Sequence, residues 1–300
     1  MRKLGICAAL MLCSSVAFAI IRRHDVEDAE YTVEATDYPA VADLLEPGDC
    51  LATLITSRWA LTAAHCVQHL ELPRTLTFGD ESAAVAGFVC NPRFDGLRHD
   101  IALVHLQEAV SVEPVGIYRN RDELGRVVTL VGRGDTATGL EGQAGARLDL
   151  QTRRATNTVD EVTSRWLKFV FHAPEDEMAT ALEGISGDGD SGGPAFIDGP
   201  EGQQLAGLSA FQDAPNSRLG TYGVTEVYTR VSSYQDFVDE VTAPGWDGRY
   251  RRCDTCSTSI VGRGGSSPWW VAAVLVLWYR RSTNRQRSSS PKNASTRSSA

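Results

Sequence analysis

Short apolar runs, each ended by a turn-forming residue, dominate the chain between residues 31 and 231. Some runs are apolar throughout and others alternate with polar residues, and Gly, Pro, Asn and Asp separate them. Runs of this length and composition are typical of β-strands. The pattern predicts an all-β fold, either a sandwich or a barrel. The clearest predicted strands are residues 50–56, 75–79, 101–106, 127–132, 167–172 and 205–211.

One segment at the end of this region has the features of a helix instead. Residues 232–241 carry Phe237 and Val241 four positions apart, which puts both side chains on one helical face. Ser233 is a suitable N-cap residue for that segment. We therefore predict a C-terminal helix after the last strand.

Charge and motif content restrict the partners of this chain. Its formal net charge is −9, and residues 20–244 hold 17 Lys and Arg against 36 Asp and Glu. A nucleic-acid site needs clustered basic residues, so this composition argues against such a partner. No internal repeat or Gly-rich phosphate loop is found, and the six histidines have no metal-ligand spacing. We therefore expect no nucleic acid, no metal and no organic cofactor.

The first 19 residues have the three parts of a secretory signal peptide. Arg2 and Lys3 supply the positive charge, residues 6–12 are apolar, and residues 17–19 form an Ala-x-Ala cleavage site. An uncleaved membrane anchor is the alternative interpretation. Export would permit disulfides among the cysteines that remain after cleavage, which are Cys50, Cys66, Cys90, Cys253 and Cys256.

The composition changes again after residue 244. Residues 245–267 are polar and rich in Gly and Ser, which indicates a linker. Residues 268–281 contain 11 consecutive apolar residues followed by Arg280 and Arg281, and residues 282–300 form a basic tail rich in Ser and Arg. The apolar stretch would span roughly 17 Å as a helix, which is short for a bilayer core of roughly 30 Å. Its flanking aromatics and arginines still favour a membrane segment over a buried helix.

Three short motifs within residues 20–244 supply the groups needed for nucleophilic catalysis. They are "LTAAHC" with His65, "DIAL" with Asp100 and "GDSGGP" with Ser191. A serine hydroxyl is a poor nucleophile at neutral pH unless a base removes its proton during attack. An imidazole suits this role because its ordinary pKa is near 6.5, and a carboxylate can orient it.

In the order and separation of these motifs, the chain resembles the chymotrypsin/trypsin family of serine peptidases over residues 20–241. The resemblance implies two antiparallel six-stranded β-barrels, with the C-terminal helix following them. The site would lie in the cleft between the barrels, with His65 and Asp100 from the first and Ser191 from the second. It implies that the backbone N–H groups of Gly189 and Ser191 stabilise the oxyanion. A protein or peptide would be the substrate.

The resemblance also gives Asp190 a partner. In this family the partner is the α-amino group of the mature chain, which belongs to Ile or Val. Cleavage after residue 19 would expose Ile20 directly, so no separate activation peptide is implied. Arg22 and Arg23 depart from the family, which usually has two glycines at these positions.

The cysteines match the family only in part. Cys50 and Cys66 correspond to its disulfide across the histidine loop. Gly187 stands where another family cysteine usually lies, and Arg133 replaces the usual tryptophan of "GWG". Cys90 is either a buried free thiol or the partner of Cys253 or Cys256.

Two interpretations of side-chain specificity stay open. Ile185 occupies the position at which trypsin-like members carry their aspartate, and Glu226 replaces a glycine that usually lines the pocket. Either the pocket is apolar, or Glu226 reaches into it and favours a basic or mixed preference. The strand expected to pair with the substrate contributes Ala210, Phe211 and Gln212.

These features together predict an exported serine endopeptidase with a C-terminal attachment segment. Residues 264–281, with Gly264 and Gly265 ahead of the apolar stretch, resemble the sorting tails of bacterial exported proteins. The membrane and a sorting enzyme are therefore expected partners, and the location is the bacterial cell envelope or surface. The alternatives are a catalytically silent binding or adhesion module of the same family and a structural envelope protein.

Overall fold

The structure is a computed structural model that describes residues 19–253 except residues 69, 201, 216 and 247. The protein divides into two compact units, Met1–Thr255 and Cys256–Ala300. All the described residues belong to the first unit. The predicted signal peptide through residue 18, Cys256, the rest of the linker, the apolar segment and the basic tail lie outside the described residues.

The described chain is built mainly of β-strands, with three short α-helices. The helices are α1 (Asp28–Tyr31), α2 (Ala64–Val67) and α3 (Gln235–Thr242). The strands are β1 (Ile20–Arg22), β2 (Val41–Asp43), β3 (Leu51–Thr56), β4 (Trp59–Thr62), β5 (Thr75–Phe78), β6 (Glu81–Cys90), β7 (Ala102–Leu106), β8 (Val127–Gly132), β9 (Asp135–Thr138), β10 (Arg147–Leu148), β11 (Arg153–Thr158), β12 (Glu161–Val162), β13 (Trp166–Val170), β14 (Gly184–Ile185), β15 (Pro194–Gly199), β16 (Gly202–Asp213) and β17 (Thr225–Arg230).

Two large sheets contain most of these strands. The six-stranded sheet has the order β2-β3-β4-β7-β6-β5, and the seven-stranded sheet has the order β11-β8-β15-β16-β17-β13-β12. All pairs in both sheets are antiparallel. The prediction of an all-β chain with two antiparallel barrel-like sheets and a C-terminal helix is confirmed. The second sheet has seven strands rather than six because the two-residue β12 pairs with the edge of β13.

A third sheet was not predicted. It has the order β10-β9-β1-β14, and its β1 runs parallel to β9. Ile20 in β1 lies opposite Thr136, and Ile21 lies opposite both Ala137 and Ile185. This small sheet therefore holds the start of the described chain against the segment that leads to Ser191.

Each large sheet has its own cluster of buried apolar side chains, and a further cluster lies between the two sheets. Leu54, Phe78 and Val104 belong to the core of the six-stranded sheet, and Leu130 and Phe169 belong to that of the seven-stranded sheet. A third cluster joins residues of both sheets and of α3, namely Leu51, Leu61, Leu103, Val131, Phe196, Leu208, Val238 and Val241. Burial of this shared apolar surface is what holds the two sheets together.

The C-terminal helix begins later than predicted. Val231–Ser233 forms a 3-10 turn, and α3 starts only at Gln235. The side chain of Ser233 does not cap the helix, and its buried hydroxyl has no partner within the described chain. Ser232 instead donates a hydrogen bond of 2.6 Å to Glu123. The first predicted turn is therefore held by a tertiary contact and lies outside the helix.

After α3 the chain returns to the six-stranded sheet. Trp246 packs edge-on against Trp59, with ring centroids 5.0 Å apart. The hydroxyl of Tyr250 lies 2.9 Å from His105 Nδ1. Cys253 forms a disulfide with Cys90, so the second of the alternatives for Cys90 is the one observed. None of the helices in the described ranges is long and apolar enough to cross a membrane.

Candidate active site

His65 and Asp100 are in direct contact. His65 lies on α2, just after β4, and Asp100 lies just before β7. Because β4 and β7 are antiparallel neighbours, the end of one strand meets the start of the other. His65 Nδ1 lies 2.7 Å from Asp100 Oδ2, and the His65 backbone N–H donates to Asp100 Oδ1 at 2.8 Å. Both carboxylate oxygens therefore hold the histidine.

The surroundings of His65 favour its protonated form. Burial lowers the pKa of the imidazole, but the Asp100 carboxylate, its hydrogen bond and the nearby Asp49 outweigh burial. The pKa of His65 therefore lies above its ordinary value of about 6.5. An imidazole held at one nitrogen by a carboxylate can accept a proton at the other and is then stabilised as an imidazolium.

The loop that carries Ser191 is attached to the start of β3 by two backbone hydrogen bonds. The Cys50 amide donates to the Gly189 carbonyl and the Leu51 amide donates to the Ser191 carbonyl, both at 2.8 Å. Cys50 is joined to Cys66 by a disulfide with a Cα–Cα distance of 6.0 Å, as the resemblance implied. The structure thus links the serine loop to the residue that follows His65.

Two glycines of this loop are required by the close approach of neighbouring backbone. Gly189 has φ +93°, and a Cβ at this position would overlap the Gly48 carbonyl oxygen. Gly192 has φ +72°, and a Cβ there would lie 3.0 Å from the Ala63 nitrogen, just before α2. Both φ values lie in the left-handed region, which strains any residue with a side chain. The glycines therefore allow the Ser191 loop to pack directly against the segment before His65.

Asp190 is almost fully buried and accepts hydrogen bonds from three backbone amides. Arg133 and Gly134 donate to Oδ1 at 2.7 and 2.6 Å, and Gly187 donates to Oδ2 at 2.9 Å. Burial raises the pKa of Asp190 to about 6, although these amides and that of Ile20 lower it. The amide of Ile20 is therefore already among the groups that act on this carboxylate in a chain that still carries residue 19.

Ile20 and Ile21 anchor the start of the described chain, and the two arginines after them stay near the surface. Both isoleucine side chains are fully buried. The Arg22 side chain pairs with Asp28 at 3.0 Å, and Arg23 pairs with Asp25 at 2.6 Å. Because their charges are paired outside the core, these arginines do not prevent β1 from inserting.

Ser191 lines a cavity of about 250 Å³ beside the predicted substrate strand. Ala210, Phe211 and Gln212 line the same cavity. Ile185 does not, because its side chain is fully buried in a cluster with Ile21, Phe171 and Val224. Three larger depressions in the described part of the chain, of about 460, 470 and 370 Å³, are lined by neither His65 nor Ser191. The cavity beside Ser191 is therefore the candidate binding pocket.

Glu226 lies behind this cavity and does not line it. Its side chain is fully buried, and one carboxylate oxygen accepts a short hydrogen bond from the Ser186 hydroxyl. Ser186 and Ser209 both line the cavity, and their hydroxyl oxygens are 3.0 Å apart. The two serines thus separate Glu226 from the open space.

The sulfur atoms beside His65 do not form a metal site. Cys50, Cys66 and His65 bring three potential ligand atoms within 4.8 Å of one another. Both sulfurs are consumed by the disulfide, so neither is available as a thiolate ligand.

A protein-family model described as "Trypsin" matches residues 30–238. The chain belongs to the trypsin family. It is similar to Serine protease 7 of Drosophila melanogaster, with 28% identity over 238 residues, 65% of this chain and 58% of that protein. It is also similar to Melanization protease 1 of the same organism, with 26% identity over 260 residues, 70% of this chain and 63% of that protein. The chain therefore spans about three fifths of the length of these two relatives.

The fold is also that of a solved serine protease. The structure of neuropsin, a serine protease expressed in the limbic system of mouse brain, superposes with a TM-score of 0.55. The match covers 70% of this chain and 97% of neuropsin at 20% identity. A likeness at this identity establishes the shared fold.

Family motifs in the sequence did not reveal several residues of the pocket. Ser186 and Asp188 lie within the stretch between Ile185 and Ser191, so the spacing to Ser191 was an available signal for them. Gln143 and Leu219 come from distant loops that meet at the pocket through a backbone hydrogen bond of 2.8 Å. No local pattern marks these two residues, because only the folded chain brings them together.

Proposed function

We propose that this chain is an endopeptidase that hydrolyses peptide bonds through His65, Asp100 and Ser191. The observation that carries the proposal is the double contact between Asp100 and His65, at 2.7 and 2.8 Å. It fixes the ring so that Nε2 is the nitrogen left to act as a base. Membership of the trypsin family and the cavity beside Ser191 support the same conclusion.

In the first half of the proposed reaction, Ser191 Oγ attacks the carbonyl carbon of the substrate and His65 Nε2 takes the hydroxyl proton. Asp100 stabilises the resulting imidazolium. The tetrahedral intermediate collapses as the C–N bond breaks, and His65 gives its proton to the leaving amine. The product is an acyl-enzyme on Ser191, which a water molecule, activated by His65 in the same way, then hydrolyses.

The proposed oxyanion donors are the backbone N–H groups of Gly189 and Ser191. Within the described chain neither amide donates a hydrogen bond to another group. Two free amides beside the nucleophile suit the negative oxygen of a tetrahedral intermediate. Such a donor typically contributes about 10²–10³ in rate.

The same proposal gives Ile20 and Asp190 a joint role. Cleavage after residue 19 would replace the Ile20 amide by an ammonium group next to a buried carboxylate. An opposite charge at this distance favours the ionised form of Asp190. The ion pair would then hold the backbone of the Ser191 loop, including both oxyanion donors.

Labelling with a fluorophosphonate tests the catalytic assignment directly. The wild-type protein should form a covalent adduct at Ser191, and Ser191→Ala should form none. His65→Ala should label at least about 10³-fold more slowly, because the base that activates the hydroxyl is missing. A folded wild-type protein that does not react would favour the catalytically silent binding module.

We further infer that the protein is exported and attached to the cell envelope through its C-terminal segment. The signal-like residues 1–19 and the apolar residues 268–281 support this inference. Two disulfides in the described part of the chain agree with an oxidising compartment. A sorting enzyme acting near Gly264 and Gly265 would be the partner in a bacterial envelope.

A further inference from the structure

Arg93 and Arg165 are two cationic side chains without an acidic partner. Within the part of the chain that the structure describes, neither guanidinium group donates a hydrogen bond or forms an ion pair, and Arg165 Nε is buried. Arg23 and Arg119, by contrast, are paired with aspartates at 2.6 and 2.7 Å. Two unpaired cations are unexpected in residues 20–244, where Asp and Glu outnumber Lys and Arg by 36 to 17. A buried donor without a partner is costly, so this pair is suited to an anion that supplies one.

The two arginines come from different parts of the chain and meet around one pair of rings. Arg93 lies in the loop between β6 and β7, and Arg165 lies in the turn between β12 and β13. The rings are those of His99 and Tyr234, whose Nδ1 and hydroxyl oxygen are 3.2 Å apart. Burial lowers the pKa of His99, and both arginine charges lower it further. Burial raises the pKa of Tyr234 to about 12, and the same two charges oppose this rise, so both guanidinium groups act on the same two rings.

A hydrogen bond connects the two segments that carry this cluster. The Thr229 hydroxyl donates to the Asp100 carbonyl at 2.8 Å, and Asp100 directly follows His99. Thr229 also lies opposite Trp166 in the antiparallel pair of β13 and β17, and Trp166 directly follows Arg165. The segment with Arg165 is therefore attached to the segment with His99 by contacts that involve neither arginine side chain.

The carboxylates that act on these two rings already have partners. The Asp95 carboxylate acts on the histidine ring, and it is paired with Arg98 at 2.6 Å. The Asp100 carboxylate acts on the tyrosine, and it is held by the proposed catalytic base. The counter-charge for the two free arginines is therefore left for a ligand to provide.

The cluster lies beside the strand expected to bind the substrate. Trp166, the residue after Arg165, packs edge-on against Phe211, with ring centroids 5.5 Å apart. Phe211 lines the cavity beside Ser191, which would hold the side chain of the residue before the cleaved bond. An extended peptide advances about 3.3 Å per residue, so a group one ring beyond Phe211 is reached about two to four residues before that bond.

We propose that Arg93 and Arg165 form a subsite for a carboxylate side chain of the substrate, about two to four residues before the cleaved bond. Guanidinium groups bind carboxylates through charge-assisted hydrogen bonds, and a carboxylate here supplies the partner that Arg165 Nε lacks. The occupant is the substrate, because the proposed reaction brings a peptide along β16 to Ser191. The enzyme therefore selects acidic peptides at this position, although its own charge is negative overall. This inference rests on the proposed peptidase function.

Fluorogenic peptide libraries test the subsite. Each library has a coumarin leaving group, a random residue before the cleaved bond, and either glutamate or glutamine at the second, third or fourth position before that bond. For the wild-type enzyme, kcat/KM for glutamate relative to glutamine should be about fivefold or more at one of these positions, because two partly exposed charge pairs form. The ratio should fall towards one as NaCl rises from about 50 to about 500 mM, since salt screens exposed charges. A ratio of one at all three positions, in a protein that still reacts with fluorophosphonate, overturns the subsite and leaves the peptidase function intact.

Variants assign the preference to the two arginines, and circular dichroism shows that each variant is folded. Arg93→Gln and Arg165→Gln should each reduce the glutamate-to-glutamine ratio about twofold or more, and the double variant should bring it to one. Arg165→Glu should reverse the preference, so that lysine at this position is cleaved faster than glutamine. Arg58→Gln is the matched control, since it removes the same charge from an exposed turn at the end of β4 opposite to His65. It should keep the wild-type ratio. A ratio that survives in the double variant, or that is lost in Arg58→Gln, would reject the assignment.

A binding experiment separates this proposal from catalysis. Coumarin-labelled triglutamate and triglutamine peptides are titrated into Ser191→Ala at low salt, and fluorescence anisotropy gives the two affinities. Triglutamate should bind about fivefold or more tightly, and adding Arg93→Gln and Arg165→Gln should remove the difference. Equal binding of both peptides to Ser191→Ala overturns the subsite. Arginine-dependent binding of triglutamate, together with a wild-type protein that fluorophosphonate does not label, would instead reject the peptidase function alone.

Discussion

The backbone amide of Cys50 donates a 2.8 Å hydrogen bond to the carbonyl oxygen of Gly189. Cys50 is also bonded through its sulfur to Cys66, the residue after His65. The disulfide and the hydrogen bond form one path from α2 to the loop that carries Ser191. The segment of the proposed base and the loop of the proposed nucleophile are therefore connected through the Cys50–Cys66 disulfide.

Removing this link should affect both stability and the site. Cys50→Ala with Cys66→Ala should lower the free energy of unfolding by about 3 kcal/mol, because the open loop gains entropy when unfolded. The rate of fluorophosphonate labelling per folded molecule should also fall. Urea unfolding and labelling kinetics measure the two effects.

Cys90→Ala with Cys253→Ala is the control, since this disulfide closes a much longer loop of 163 residues. It should cost more stability, about 5 kcal/mol, and reduce labelling less. Unchanged labelling in the Cys50 and Cys66 variant would contradict the path described above.

The start of the chain should set the pH dependence of stability through Asp190. With residue 19 retained, burial raises the pKa of Asp190 to about 6, above an unfolded value of about 3.9. The folded chain then binds more protons than the unfolded chain, so stability falls by about 3 kcal/mol as pH rises from about 4 to about 6. A chain that starts at Ile20 carries an ammonium group at this position and should not show the loss.

Two forms that differ by residue 19 alone test this expectation. Urea unfolding between pH 4 and 7 gives the stability difference, and fluorophosphonate labelling shows whether the form starting at Ile20 reacts faster. N-terminal sequencing of the exported protein should begin at Ile20. Identical pH dependence of the two forms would argue against an ion pair with Asp190.

Activity should rise with pH as His65 loses its proton. Asp100 holds the pKa of His65 above about 6.5, so the midpoint of log kcat/KM against pH should lie above that value for an uncharged substrate. Asp100→Asn should move the midpoint to lower pH and reduce kcat by about 10⁴. A variant with a normal rate and an unmoved midpoint would mean that Asp100 does not act on His65.

The ion pair between Glu123 and Arg230 should contribute more to stability than the pair between Arg119 and Asp239. The Arg230 side chain donates to both oxygens of the fully buried Glu123, at 2.9 and 2.6 Å. Glu123→Ala leaves a buried guanidinium without its counter-charge and should cost about 3–5 kcal/mol. The pair between Arg119 and Asp239 is half exposed, so Asp239→Ala should cost less than about 1 kcal/mol. Urea unfolding compares them, and equal costs would reject the ranking.

The C-terminal segment should control where the peptidase accumulates. Deleting residues 264–300 removes the apolar stretch and the basic tail but keeps Cys253 and its disulfide. The shortened protein should appear as active soluble enzyme outside the cytoplasm. Cell fractionation followed by fluorophosphonate labelling measures this. Membrane association as complete as that of the full chain would show that the segment is not an attachment signal.

A short stretch of sequence was sufficient to predict those features that are built from contiguous residues. The Ser191 loop demands glycine at fixed offsets, so its motif is visible in eight residues, and the strand-forming runs are equally local. The pairing of Cys90 was not visible in this way. It depends on the return of residues 243–253 to β6, which is directed by the packing of Trp246 and Tyr250.

The sequence by itself determined the all-β class, the identity of His65, Asp100 and Ser191 as a candidate set, and the acid at position 226. Tertiary structure alone decided that Ser186 lines the pocket and that Ile185 does not. The side chains of successive residues in extended backbone point in opposite directions. An assignment from sequence spacing that is wrong by one residue therefore names a core residue in place of a pocket residue. Ile185 accordingly packs into the core and Ser186 faces the pocket. The hydrogen bond of Glu226 is likewise decided by the fold, because its donor, Ser186, lies 40 residues away in sequence.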